Sequence, residues 1–129
     1  MIREPKDKGV RCSSTELARL SGATPDHIRY WGRVGLLLKH KDTSSPFLLS
    51  ELPKAKLMVL FVERLQMKAK KSSSLADDLL ADYQDREDAF EAMLAVVDAL
   101  DRRITELVDL ILDLNLVPHL LAVFSKERE

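Results

Sequence analysis

Phe90, Met93, Val97, Leu100, Ile104, Leu107, Ile111 and Leu114 follow one another at steps of 3-4-3-4-3-4-3. That spacing keeps eight large apolar side chains on one side of an α-helix, at the a and d positions of a heptad repeat. No Gly or Pro interrupts the run. At 1.5 Å per residue the stretch 90–114 would be about 40 Å long, and the helix that holds it is assigned to residues 85–115. A stripe of this length outruns the cover that one small domain can supply, because residues 1–80 offer few spare apolar faces. The economical cover is a second copy, which makes this a coiled-coil dimerisation helix. The alternative is a long core helix in a monomeric bundle. Leu94, Val108 and Leu110 widen the stripe and require further cover, from the partner's helical domain or from the tail.

The 129 residues carry a formal charge of only −1, which hides an asymmetry. Residues 1–71 hold fifteen Lys and Arg against seven Asp and Glu, a net of +8, and residues 72–129 hold five against fourteen, a net of −9. A basic half suits a polyanion, and an acidic half suits something else. The length fits one small domain with an appendage. One cysteine, Cys12, excludes an internal disulfide and fits a reducing cytoplasm. No apolar run is long enough to span a bilayer, so no membrane association is expected. Residues 1–12 lack the apolar core of a signal peptide and read as a loose basic tail.

Ser13 to Leu37 reads as two short helices around a tight turn, leading to a strand. Ser13 and Glu16 form a capping box, each side chain satisfying an orphan amide of the other residue. Gly22 stands where the first helix must stop. Thr24 and Pro25 restart the chain as N-cap and first helical residue. The second helix presents His27, Arg29, Tyr30 and Arg33 on or beside its polar face, while Ile28 and Trp31 turn inward. A short capped helix with arginines and a tyrosine outward fits a DNA major groove.

Glu16-Leu17-Ala18, Thr24, Ile28-Arg29-Tyr30-Trp31, Arg33 and Gly35-Leu36-Leu37 together resemble the MerR family of winged-helix DNA-binding regulators, with ungapped spacing. The resemblance implies a mainly α fold: a winged helix-turn-helix domain with a small β-hairpin wing, followed by a long coiled-coil dimerisation helix. It implies a homodimer through an antiparallel coiled coil, two recognition helices in successive major grooves, and distortion of the duplex at an overlong promoter spacer. On these positions Thr24, Asp26 and His27 become candidates for facing bases, Arg29 and Arg33 for base or phosphate contacts, and Tyr30 for a phosphate contact. Location in the cytoplasm, on the bacterial nucleoid, follows from the same likeness.

The chain also departs from that family. Asp42–Pro46 is a turn cluster, and short segments at 37–41 and 47–49 could pair as the first wing. The Tyr-Arg signature of the wing's second strand is replaced by Phe47-Leu48-Leu49, leaving Lys39, His40 and Lys41 as its basic residues. Gly32 replaces a glutamate, and a mid-helix glycine costs up to about 1 kcal/mol, enough to weaken or end the recognition helix. The apolar strand either packs on its own domain or docks a protein partner at the wing. Because side chains alternate along a strand, Phe47, Leu48 and Leu49 cannot all point inward.

Ser50 is expected to cap a third helix, about Glu51–Ala69, with Leu57, Leu60, Phe61 and Leu65 toward the core. Ser72–Ser74 reads as a turn before a fourth helix, about Leu75–Tyr83, with Leu75, Leu79 and Leu80 inward. Lys68, Lys70 and Lys71 match the place where the family's second wing grips phosphate. Residues 13–84 thus form the DNA-binding domain. Residues 116–129 form a short C-terminal apolar segment, in which Leu120, Leu121, Val123 and Phe124 could cap the coil ends or line a pocket.

No catalytic constellation is present. His27, His40 and His119 are isolated, with no metal-ligand spacing, and no Gly-rich phosphate loop exists. An enzyme is not expected, nor a cofactor or metal. The expected function is a homodimeric, MerR-like transcriptional regulator of double-stranded DNA. The rivals are a MerR-like protein-interaction module, such as a co-chaperone modulator or adaptor, and a nonspecific chromosome-architecture protein.

Overall fold

The computed structural model describes residues 9–41 and 43–113. The protein is mainly helical, with one small antiparallel pair of strands. The elements are β1 (Arg11–Cys12), α1 (Ser14–Ser21), α2 (Pro25–Arg33), β2 (Phe47–Leu48), α3 (Leu52–Val59), α4 (Ala69–Leu80) and α5 (Ala89–Asp113). Two compact units divide the chain, residues 1–97 and 98–129.

Local chemistry accounts for the first two helices. The Ser13 amide donates to Glu16 Oε1 at 2.8 Å, and Ser13 Oγ accepts from the Glu16 amide at 3.1 Å. Gly22 ends α1 at φ +87°, a left-handed conformation natural to glycine, and its amide donates to the Ala18 carbonyl at 2.9 Å. Thr24 Oγ1 accepts from the His27 amide at 3.1 Å, with Pro25 at the first turn. α2 persists through Gly32 to Arg33, so the glycine does not end the helix.

The inner residues of these helices, Leu17, Ala18, Ile28 and Trp31, join Cys12, Leu37, Phe47, Leu52, Ala55 and Met58 in one core. Burial raises the Cys12 thiol above its ordinary pKa, with a smaller push from the Glu16 carboxylate, so the thiolate that reacts is scarce.

The strand pairing differs from the expected wing hairpin. β2 pairs not with residues 37–41 but with β1, Arg11 opposite Leu48 and Cys12 opposite Phe47. The Leu49 amide extends the ladder to the Val10 carbonyl at 2.8 Å, and one bond, His40 amide to Pro46 carbonyl at 2.8 Å, closes the 40–46 loop. Pairing with β1 lets Phe47 and Cys12 both enter the core, a burial the polar stretch Lys39–Lys41 cannot match. Arg11 and Cys12 therefore belong to the fold rather than to a loose tail. The rest of that tail, residues 1–8, lies outside the described residues.

The third and fourth helices also sit differently. Leu49–Glu51 forms a 3-10 turn running into α3, and no side chain caps it. After α3 the helix widens into a π turn at Leu60–Arg64 and stops, short of Ala69. Gln66 takes φ +56° and its side-chain amide donates to the Glu63 carbonyl at 3.0 Å, while the Met67 amide reaches back to Phe61 at 3.0 Å. Leu57, Leu60 and Phe61 are buried as expected, whereas Leu65 falls in the reversal and is 46% exposed.

α4 begins at Ala69, so Ser72–Ser74 is helix and not turn. Ser72 and Ser73 are buried beside Ala76 and Leu80, and this small-residue face leaves room for the backbone of α3. Ser72 Oγ donates to the Lys68 carbonyl at 2.9 Å and Ser73 Oγ to the Leu36 carbonyl at 3.3 Å, which removes the cost of burying two hydroxyls. Lys54 Nζ and Asp77 Oδ1 join α3 to α4 at 2.9 Å. The shift in helix phase leaves Leu75 and Leu79 each 36% exposed instead of inward.

α5 runs unbroken from Ala89 to Asp113. In the first unit Phe90 and Leu94 pack against the core, and Val97 is buried. In the second unit Leu107, Val108, Leu110, Ile111 and Leu112 are all exposed, Leu107 at 58%. Leu114, the last seam residue, and the 116–129 segment with His119 lie outside the described residues. Among the described residues no helix is long and apolar enough to cross a membrane.

Candidate nucleic-acid interface

The polar face of α2 is built by what its apolar face must do. Ile28 and Trp31 are buried, and the rest of the 3.6-residue repeat turns Asp26, Arg29, Tyr30 and Arg33 to solvent. Thr24 is exposed at the cap, its hydroxyl already committed to the His27 amide. Arg29 Nη2 donates to Asp26 Oδ1, an exposed pair one helical turn long. The Arg33 guanidinium carbon lies 5.3 Å from the centre of the Tyr30 ring. These contacts hold two cations in preferred directions before any ligand arrives, while leaving their remaining donors to solvent.

His27 sits between the two faces. Its ring stacks on Trp31 with centroids 5.4 Å apart and planes at 13°. That stacking half-buries the imidazole, so of the three candidates for facing bases His27 is the least available.

Two further groups of basic residues are tied to the C-terminal end of α2. Lys39 and Lys41 are exposed in the loop that follows, and the Lys39 side-chain stem passes beside Gly32. A methyl group placed on Gly32 would lie 3.2 Å from Lys39 Cδ and 2.9 Å from Phe47 Cζ. The absent side chain at 32 and the aromatic ring at 47 are thus one packing arrangement. Both departures from the family pattern have the same cause, a ring laid against the helix backbone.

Lys68 precedes α4, and Lys70 and Lys71 occupy its first turn, all exposed. The bond from Ser73 to the Leu36 carbonyl links this segment to the turn after α2. A lysine pair in a helix's first turn does not complement the helix dipole. An anion placed there would meet both the lysines and the positive end of the helix.

β2 contributes no charge to this surface. Phe47 is wholly buried in the core, and Leu48, on the opposite side of the strand, is 6% exposed and lines a cleft that it shares with the first turns of α5. The loop is anchored instead by Glu51, whose Oε1 accepts from the Leu38 amide at 2.8 Å. Burial pushes the Glu51 carboxyl above its ordinary pKa, against the lowering effects of that amide and of Lys54. Sequence reasoning missed this anchor, and the contact spans thirteen residues, so no local pattern announces it.

The seam residues grow more exposed toward the end of α5. Phe90, Met93 and Leu100 are half-buried, Val97 is buried, Ile104 is half-buried, and Leu107 and Ile111 are exposed. No family model and no curated protein matches this chain.

Proposed function

We propose that the protein is a homodimeric, MerR-like winged-helix regulator that binds double-stranded DNA. The observation that carries this reading is α2 itself: a short helix capped by Thr24 and sealed on one side by Ile28 and Trp31, with Arg29, Tyr30 and Arg33 on the other. The basic surface around it, with Lys39, Lys41, Lys68, Lys70 and Lys71, supplies sequence-independent affinity for phosphates. Exposed Asp26, Arg29 and Arg33 supply what sequence discrimination there is. The loop between α2 and β2 acts as a reduced wing, its phosphate contacts resting on two lysines because Phe47 and Leu48 serve packing. α5 pairs with a second copy as an antiparallel coiled coil through the seam residues that its own unit leaves open, Leu100, Ile104, Leu107 and Ile111, which sets the spacing of two recognition helices.

A protein-interaction module is the second reading. It is favoured by Leu38, 57% exposed in the same loop as the lysines.

Fluorescence anisotropy with selected and random duplexes across a salt series separates the two. On the DNA reading, Arg29→Ala or Arg33→Ala costs about 1–3 kcal/mol if it removes a base contact. If it removes a phosphate contact, it lowers affinity on every duplex and flattens the salt slope by about one unit. A doubly substituted protein that binds DNA as the wild type does would end the reading.

A further inference from the structure

A cleft of about 770 Å³ opens within the first unit, between the β1–β2 pair and the first turns of α5. Pockets that hold small organic molecules span about 300–1,000 Å³ and are largely apolar with a few polar groups. This one has that make-up. Val10, Leu38, Leu48, Phe90 and Met93 give it an apolar wall, and Ser50, Gln84 and Asp85 are its polar groups. Val10 is 69% exposed and Leu38 57% exposed, so two large apolar side chains stand at its mouth in contact with water.

Asp85 is the only charged residue of the lining. The neighbouring carboxylate Asp88 is held by Arg86, with bonds of 2.8 and 2.9 Å. Asp85 has no such partner among the described residues. An apolar wall with one unpaired carboxylate selects by charge: it favours a cation, tolerates a neutral molecule and repels an anion. Phe90 adds a ring that a cation can approach, and Met93 a flexible, polarizable side chain that adapts to varied shapes.

We infer that this cleft is a binding site for a small aromatic or aliphatic amine, its apolar body between Leu48, Phe90 and Met93 and its ammonium group at Asp85. The site goes beyond the DNA reading and does not depend on it, since occupancy is measured on the protein without DNA.

The test uses the full chain and three probes with one ring system: naphthylethylamine, naphthylethanol and naphthylacetate, bearing a positive, zero and negative charge at neutral pH. Binding is followed by naphthalene fluorescence and checked by calorimetry. The expected result is saturable binding with the amine favoured over the alcohol by up to about fivefold, the range of a solvent-accessible ion pair, and the acetate weakest. Asp85→Asn should bring amine and alcohol within about twofold of each other. Val10→Lys, at an exposed position, puts a resident cation at the mouth and should weaken the amine while improving the acetate. Unchanged melting curves for both variants establish that the fold is intact. Absence of saturable binding, equal affinity for amine and alcohol in the wild type, preference for the acetate, or an amine preference that survives both substitutions would each overturn the inference.

Discussion

α2 and the far part of α5 treat their apolar residues in opposite ways. In α2, Ile28 and Trp31 are sealed within their own unit, and after Pro25 the exposed residues Asp26, Arg29, Tyr30 and Arg33 are charged or carry a hydroxyl. Between residues 107 and 112 of α5, five large apolar residues stay in water, Leu112 at 64% exposure. Fully burying one such side chain is worth about 1.5–3 kcal/mol, so the second arrangement leaves a large driving force unused in a single chain. The first helix is finished as a structure and is left with chemistry to offer. The second is unfinished, and its exposed stripe argues for a partner.

The comparison breaks most decisively at Leu107 and Ile111. Both are exposed in the single chain, so Leu107→Asp with Ile111→Asp leaves the packing of the first unit alone. In a dimer the pair would place four carboxylates in the seam, each costing several kcal/mol, on the order of 3–5, unless neutralised. Sedimentation equilibrium at micromolar concentration should give a dimer for the wild type and a folded monomer for the variant, with helical circular dichroism largely kept. A wild type that stays monomeric would remove the coiled-coil proposal and leave the stripe to some other cover.

Leu48→Arg comes next in size. The side chain is 6% exposed on the apolar wall of a cleft that also holds Asp85, so the change partly desolvates a charge at a cost of about 1–3 kcal/mol. Urea denaturation should show the loss. A variant that keeps its midpoint and gains affinity for random DNA would mean the strand lies at the surface, as a phosphate-contacting wing would.

What was legible in the sequence follows the range of the interactions. The caps at Ser13 and Thr24 and the stop at Gly22 act over three or four residues, so α1 and α2 could be read, and α2 with its inward face, Ile28 and Trp31. β2 has only two residues and finds its partner across the whole of α1 and α2, beyond any local pattern. Ser72–Ser74 misled because serine favours turns when its hydroxyl competes for the backbone, whereas here small volume next to α3 decides. That choice rotates α4 and exposes Leu75 and Leu79. The cleft was illegible for the same reason as β2: its wall comes from segments near residues 10, 38, 48 and 90, which only the folded chain brings together. The exposed half of the candidate interface was readable, and the reason for Gly32 was not.

Gly32→Ala tests that reason, with a smaller effect. Alanine should strengthen α2 by up to about 1 kcal/mol on propensity alone. The new methyl would meet the buried Phe47 ring at 2.9–3.0 Å, and a ring packed on all sides cannot retreat cheaply. Overpacking of this kind costs about 1–3 kcal/mol, so a net destabilisation is expected in urea. Phe47→Leu in the same chain should relieve the contact, giving a coupling of about 1 kcal/mol in a double-mutant cycle. Net stabilisation by alanine alone would show that propensity outweighs the close approach.

The smallest effect concerns the residue that anchors the loop. The Glu51 carboxyl lies above its ordinary value of 4.5 in the folded protein, chiefly because burial disfavours its charge. The native state therefore keeps this proton to a higher pH than the unfolded chain does. Between the two pKa values folding takes up a proton, so the contribution of Glu51 to stability falls as pH rises through that window and is flat above it. Glu51→Gln keeps an oxygen for the Leu38 amide, at 2.8 Å in the wild type, and removes the titration. A neutral acceptor also makes a weaker hydrogen bond than a carboxylate, which opposes the relief of desolvation, so the net change at neutral pH should stay under about 1 kcal/mol in favour of Gln. The slope is the sharper readout. Subtracting the variant's stability from the wild type's across pH 4–7, about the range above the ordinary carboxyl value, should leave a difference that falls with rising pH. A difference that rises instead would mean that the Leu38 amide, and not burial, governs this carboxylate, and that the loop is held by charge.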